Sequence, residues 1–180
     1  MTTVLSKAYL AGGCFCCIEA PLIRLKGVHH AISGYMGGHV ANPSYRDICS
    51  GRSGHAEVVE VAYDPSIIGF AELLQVFFTV HDPTQLNRQG NDVGSQYRSA
   101  IFPIDNEQQV MAEKMIKELD NNGVLNSSIV TTIEPLQTFY PAENAHQSYF
   151  DNNPYQPYCQ IIIAPKLQKF AHLFSDKLKP

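Results

Sequence analysis

The sequence predicts an α+β fold: a two-layer sandwich of a mixed, mainly antiparallel sheet with flanking helices and long polar loops. Three observations lead there. Strand-like and helix-like segments are interleaved, the strands are few, and polar stretches such as 39–54 and 81–96 are longer than the connections of a doubly wound parallel sheet. A chain of 180 residues with 44% hydrophobic and 17% charged side chains fits one domain over 1–180 and excludes a disordered or collagen-like protein.

Lys7 to Ala11 reads as a short strand running into Gly12-Gly13. Phe15, Ile18, Leu22 and Leu25 then recur at helical spacing, so the cysteine cluster opens a helix, with Pro21 placed to kink or restart it. Val28 to Tyr35 is a second strand closed by Gly37-Gly38, and 39–54 a polar loop. From His55 to Tyr63 the pattern alternates, with Glu57, Val59, Val61 and Tyr63 on one face, until Asp64-Pro65 stops the strand. Phe70, Leu73, Leu74, Phe77 and Phe78 give an amphipathic helix, followed by the polar loop 81–96. Tyr97 to Ile104 returns to strand composition. Asp105 and Gln108 resemble a capping box for a helix with Met111, Met115 and Leu119 inward, ended by Asn122-Gly123. Ile129 to Ile133 and Ile161 to Ile163 are strand candidates, and Lys166 to Leu178 a last helix. No repeat, low-complexity tract or linker interrupts the chain.

Composition narrows the function. No apolar run approaches the roughly eighteen residues of a membrane span, and the opening residues lack a basic, apolar leader, so a cytoplasmic protein is expected. The net charge of -4, without a Lys/Arg stripe, speaks against nucleic acid and membranes as partners. Five cysteines, three of them at 14, 16 and 17, are no disulfide framework and fit reactive thiols in a reducing compartment.

Cys14 follows a strand and two glycines and begins a helix, where free N–H groups and the macrodipole would lower a thiol pKa and leave the thiolate accessible. Cys14 and Cys17 also form C-x-x-C, a spacing shared by redox pairs and by half of a zinc site; a second pair of zinc ligands at matching spacing is missing. Glu57, if its face is buried beside Val59 and Val61, is raised in pKa and stays a neutral acid near pH 7. A thiolate beside a carboxylic acid suits nucleophilic attack with protonation of a departing oxygen. Tyr45 and Tyr97, in or beside polar loops, could add hydroxyl donors.

These residues sit in longer strings: GGCFCCIEA at 12–20, GYMGG at 34–38, NPSYRDICSGRSGHAEVVEVAYDPS at 42–66 and HDPTQLNRQGNDVGSQYRSAIF at 81–102. With AENAHQSYF at 142–150, PYCQ at 157–160 and the closing APKLQKF, nearly the whole chain resembles the methionine sulfoxide reductase A family. The resemblance implies reduction of the S epimer of methionine sulfoxide, free or in proteins, without metal or organic cofactor and with thioredoxin or another dithiol as reductant. It implies Cys14 as nucleophile, Glu57 as the acid, Tyr45 and Tyr97 as hydroxyls on the sulfoxide oxygen, Asp92 as an acidic neighbour, and Phe15 as part of the cage around the S-methyl group. Position 16 departs: the family carries Trp there, whereas this chain has Cys16 and no Trp anywhere. Cys16 would weaken the cage, packing as a small hydrophobe or offering a thiol able to trap the intermediate. Cys159 is implied as the thiol that resolves a sulfenic acid on Cys14, with Cys17 as its rival; Cys49 reads as structural. His55 and His146 fall inside these motifs with packing roles as fitting as catalytic ones. Two other readings stand beside this one: a C-x-x-C thiol-disulfide oxidoreductase and a non-catalytic thiol or metal-binding module.

Overall fold

In the computed structural model, which describes residues 2–180, β1 (Ser6–Ala11), β2 (Val28–Met36) and β3 (Ala56–Tyr63) form the centre of one sheet, with β3 between the other two and antiparallel to both. Two-residue strands extend it: β6 (Ala100–Ile101) lies against β1, β7 (Thr132–Ile133) runs parallel to β6, and β8 (Tyr140–Pro141) pairs with β2. The order is β7-β6-β1-β3-β2-β8, mixed and mainly antiparallel as the sequence predicts.

The alternation in β3 decides what each sheet face meets. Val59, Val61 and Tyr63 join Ala8, Leu10 and Tyr35 on the face that carries α1 (Phe15–Leu22), α3 (Phe70–Val80) and α4 (Asn106–Asn121), whereas Ala56 and Val58 turn to a smaller cluster with Met36, Phe102 and Phe139. The helices therefore cover one face, which makes the two-layer sandwich. Leu73, Leu74, Val76 and Phe77 are completely buried, each such side chain contributing about 1.5–3 kcal/mol of burial.

All eight residues of α1 are buried, because the sheet lies on one side and the C-terminal segment on the other. Even Glu19 is 4% exposed; Ser33 Oγ donates to it at 2.6 Å and the Ser148 amide at 2.7 Å, so the acid ties β2 to the C-terminal segment. Burial raises its pKa. Pro21 sits in the last turn and the helix stops at Leu22, so the proline ends α1 rather than kinking it, and Leu25 falls in the following turn, where it bridges to Leu178.

Several expectations are corrected. The polar stretch 39–54 contains α2 (Tyr45–Cys49), started by a reciprocal cap in which Ser44 and Asp47 satisfy each other's backbone amides. The stretch 81–96 folds into the hairpin of β4 (Arg88–Gln89) and β5 (Asp92–Val93). Of 97–104 only Ala100–Ile101 is strand, and of 129–133 only Thr132–Ile133. Asp105 does cap α4 by accepting from the Gln108 amide, but Gln108 returns its side chain to Ile104 N–H, one residue early. The Ile161 to Ile163 strand does not form. After the short α5 (Tyr149–Asn152), Cys159–Ile163 is a π-helical turn running into α6 (Ala164–Leu173), with Cys159 and Ile163 buried and Ile161 69% exposed. A three-residue apolar run has no period that separates strand from helix. α6 itself ends at Leu173, short of the expected Leu178, and a 3-10 turn follows.

Candidate active site

β1 delivers the chain to Gly12-Gly13 in the core. Gly13 has φ +88°, and a Cβ there would meet Gln89 at 2.7 Å; a Cβ on Gly12 would meet the His81 ring at 2.9 Å. The turn this permits puts Cys14 at the N-cap of α1, with extended backbone and a partly exposed side chain.

The first free amide of α1, Phe15 N–H, donates to Glu57 Oε1 at 3.1 Å. The Cys14 thiol lies within electrostatic reach of the same carboxyl. Glu57 is 2% exposed, and burial pushes its pKa up to about 8, with the Asp92 charge adding to the rise against the pull of the Phe15 amide. It is thus a neutral acid at pH 7, as the alternation of β3 predicts.

Tyr45, first residue of α2, and Tyr97, in a 3-10 turn after β5, both lie within electrostatic reach of Glu57; burial raises both phenol pKa values, so both hydroxyls remain donors. Tyr45 is 38% exposed and stacks on His146 with ring centres 4.4 Å apart. Phe15, buried, lies 5.7 Å from His146 and 5.8 Å from Tyr35, so an apolar wall runs from Phe15 to Tyr45. Glu143, which sequence reasoning missed, holds this wall: it accepts from Tyr45 N–H at 2.9 Å and from Tyr35 Oη at 3.2 Å.

Below Cys14 lies a pool of thiols. Cys14 Sγ and Cys16 Sγ are 2.6 Å apart, and Cys16, Cys17 and Cys159 are buried together with Ala20 and Ile163. The expected lowering of the Cys14 pKa by the helix terminus is not found, and the Phe15 amide is given to Glu57. Contacts with Cys16, then Cys17, hold the Cys14 proton and push its pKa well up, while Cys17 is held low by S–H donation from Cys14 and Cys16. Of these thiols, Cys17 is the one whose thiolate is favoured. Burial raises Cys159. Cys16 faces this pool rather than an open cage, with Tyr149, Phe150 and Tyr158 packed against the cluster.

Asp92 is placed by the β4–β5 hairpin, where it accepts from Tyr158 Oη at 2.9 Å; that hydroxyl also lies 3.5 Å from Cys17 Sγ. Tyr158 therefore clamps the segment carrying Cys159 over the thiols, and only its place within PYCQ hinted at this. Cys49 is exposed at the end of α2 beside Tyr45. His55 is a packing residue: Gly38 N–H donates to its Nδ1 at 3.0 Å and its Nε2–H to Val40 O at 2.7 Å. Among the described residues no three His, Cys, Asp or Glu side chains converge as metal ligands.

A buried neutral acid, a partly exposed thiol and further thiols in contact with it suit reduction of a polar S=O group. Comparison with known proteins points the same way. The family profile described as peptide methionine sulfoxide reductase matches residues 6–178. The peptide methionine sulfoxide reductase MsrA of Chromobacterium violaceum is 53% identical over 175 residues, covering 97% of this chain and 99% of that protein. That of Saccharolobus solfataricus is 50% identical over 172 residues, covering 96% of each. Among solved structures, methionine sulfoxide reductase A of Corynebacterium diphtheriae superposes with a TM-score of 0.75 at 37% identity, covering 86% of this chain and 78% of that one. Reduced Mxr1 of Saccharomyces cerevisiae gives 0.73 at 34%, covering 86% and 89%. The chain belongs to the peptide methionine sulfoxide reductase family and is an oxidoreductase that reduces methionine sulfoxide.

Proposed function

We propose that residues 1–180 act as one catalytic domain that reduces the S epimer of methionine sulfoxide, free and in oxidised proteins, with Cys14 as nucleophile and Glu57 as acid. The observation that carries the residue roles is the amide of Phe15, next to Cys14, donating at 3.1 Å to a carboxyl whose pKa is pushed up to about 8 by burial. Cys14 passes its proton to the thiolate held at Cys17 and attacks the sulfoxide sulfur. Glu57 protonates the oxygen, Tyr45 and Tyr97 hydrogen-bond to it as the S=O bond weakens, and Phe15 lies against the methyl group. Oxygen moves to Cys14, giving methionine and a sulfenic acid. Asp92 acts indirectly, raising Glu57 and anchoring Tyr158.

A second thiol then converts the sulfenic acid to a disulfide, and the pool beneath Cys14 supplies it: Cys159, packed against Cys16 and Cys17, or Cys17 itself. Thioredoxin or another dithiol reduces the disulfide. Mxr1 of yeast is known in a complex with Trx2. Five unpaired cysteines fit a reducing compartment such as the cytoplasm.

The test is methionine released from each separate epimer of N-acetylmethionine sulfoxide with a dithiol present. Release from the S epimer alone, abolished by Cys14→Ser, is expected. Release from the R epimer, or survival in Cys14→Ser, would overturn the assignment.

A further inference from the structure

We propose that Cys16 is the first resolving thiol: the sulfenic acid on Cys14 is captured by its neighbour but one, and the resulting Cys14–Cys16 disulfide is what the external dithiol reduces. This rests on the reductase reading above. It departs from the expectation that the captor is Cys159 or Cys17, and it gives a function to the residue by which this chain differs from the family pattern.

Position is the first argument. Cys16 Sγ lies 2.6 Å from Cys14 Sγ, closer than two sulfurs in ordinary van der Waals contact, so capture needs no movement of the chain. Cys159 sits in the π-helical turn across the cluster, held by a segment whose Tyr158 is tied to Asp92 at 2.9 Å. Cys17 has Tyr158 Oη against its sulfur at 3.5 Å. A thiol already in place reacts with a large effective molarity over one that, like Cys159, must be released first.

Local backbone is the second. Cys14 is the N-cap, with ψ 129°, outside the helix, whereas Cys16 is inside its first turn. The change from extended to helical backbone between them is what brings two side chains only two residues apart onto the same spot; within a helix they would diverge.

Burial is the third. Cys16 is 5% exposed, so an outside reductant cannot reach its sulfur, but Cys14 is partly exposed. The dithiol therefore attacks Cys14 Sγ, and the Cys16 sulfur leaves and takes up a proton to return to the buried thiol. A link between residues two apart closes a small, strained ring, the kind of disulfide that is readily reduced.

The step balances. The S–O bond of the Cys14 sulfenic acid breaks, a sulfur–sulfur bond to Cys16 forms, and the hydroxyl leaves as water with the Cys16 proton. The Cys14 sulfur is reduced and the Cys16 sulfur oxidised to the disulfide level. The dithiol then supplies two electrons and two protons to restore both thiols.

Rapid-quench experiments on the full chain test this: N-acetyl-L-methionine-S-sulfoxide is added without reductant, thiols are alkylated at times from milliseconds to minutes, and peptides are mapped by mass spectrometry. The earliest disulfide is expected within the peptide carrying Cys14 and Cys16, both in the native chain and in a Cys159→Ser variant. In Cys16→Ser the dimedone-reactive sulfenic acid on Cys14 should persist at least about tenfold longer, the loss expected when a pre-positioned partner is removed. A first disulfide from Cys14 to Cys17 or Cys159, or an unchanged sulfenic acid lifetime in Cys16→Ser, overturns the role of Cys16 while methionine is still formed. No methionine from the native chain overturns instead the reductase reading beneath it.

Discussion

Glu57→Gln isolates the acid. The amide keeps the oxygen that accepts from Phe15 N–H at 3.1 Å, so the fold at the start of α1 is preserved while the proton is removed. The structure sets the size of the effect. With a pKa of about 8, Glu57 is protonated in about nine chains of ten at pH 7, whereas at the ordinary value of 4.5 only about one in three hundred would be. Burial in β3 thus raises the acid population roughly 300-fold, and a positioned acid contributes about 10²–10⁴ in rate. The assay is the single-turnover burst of methionine without reductant, which precedes disulfide formation and so reports the acid alone. In the native chain the burst rate should fall about tenfold per pH unit above pH 8 as Glu57 ionises, once loss of the thiol proton has ceased to raise it. Glu57→Gln should lower the burst at pH 7 at least about 100-fold and remove that alkaline limb. An unchanged burst, or an alkaline limb that survives in Glu57→Gln, would refute the assignment of the proton to this residue.

Three further outcomes follow from the packing and charge described. Cys16→Trp places an indole into the buried cluster of Cys17, Ala20, Cys159 and Ile163; it should cost about 1–3 kcal/mol and lower Tm by several degrees, and a stabilised variant would show that position 16 opens instead onto an unfilled cage. Tyr158→Phe deletes the bond to Asp92, worth about 1.5–3 kcal/mol to a charged acceptor; faster amide exchange over 157–163 and faster alkylation of Cys17 are expected, and unchanged rates of both would remove the clamp from the account. His81 is buried and neutral: its Nδ1–H donates to Phe77 O at 2.6 Å, Ser99 Oγ donates to Nε2 at 2.8 Å, and burial lowers its pKa from 6.5 to about 4. Above pH 6.5 the ring is uncharged in both folded and unfolded chains; as pH falls from 6.5 through 4 the unfolded chain takes the proton first, and stability drops by up to about 3 kcal/mol. Denaturant titrations of the native chain and His81→Gln at pH 7 and pH 4 measure it, with a smaller acid loss expected in the variant and an equal loss counting against the buried neutral ring.

What could be read from the sequence follows the range over which its signals act. α3 and α4 were legible because Phe70 to Phe78 and Met111 to Leu119 repeat at the helical period and Asp105 caps its own helix. Cys14 and Glu57 were legible too. A Gly-Gly turn must precede a thiol at a helix start, and alternation in β3 puts Glu57 on the buried face with Val59 and Val61. The roles of Tyr45, Tyr97 and Asp92 came from resemblance, since nothing local distinguishes one tyrosine in a polar loop from another. Three members of the thiol pool are neighbours in sequence, but the place of Cys159 beside them came only from resemblance, because it is made by contacts across the chain: Ser148 to Glu19 spans 129 positions and Tyr158 to Asp92 spans 66. Those contacts wind Cys159–Ile163 into a helical turn that an isoleucine run does not announce. The helix dipole fails to lower the Cys14 pKa because contacts with Cys16, then Cys17, hold its proton, and the first amide of α1 is occupied by a glutamate 42 positions away.

The measurement that bears most directly on the central claim is a paired count in one turnover: methionine formed and thiols lost per chain when excess S-sulfoxide is added to fully reduced protein without reductant. All five cysteines are free at the start. The account predicts one methionine and the loss of two thiols, with Cys14 always one of the pair. Methionine formed with all five thiols retained, or thiols lost with no methionine, would contradict it.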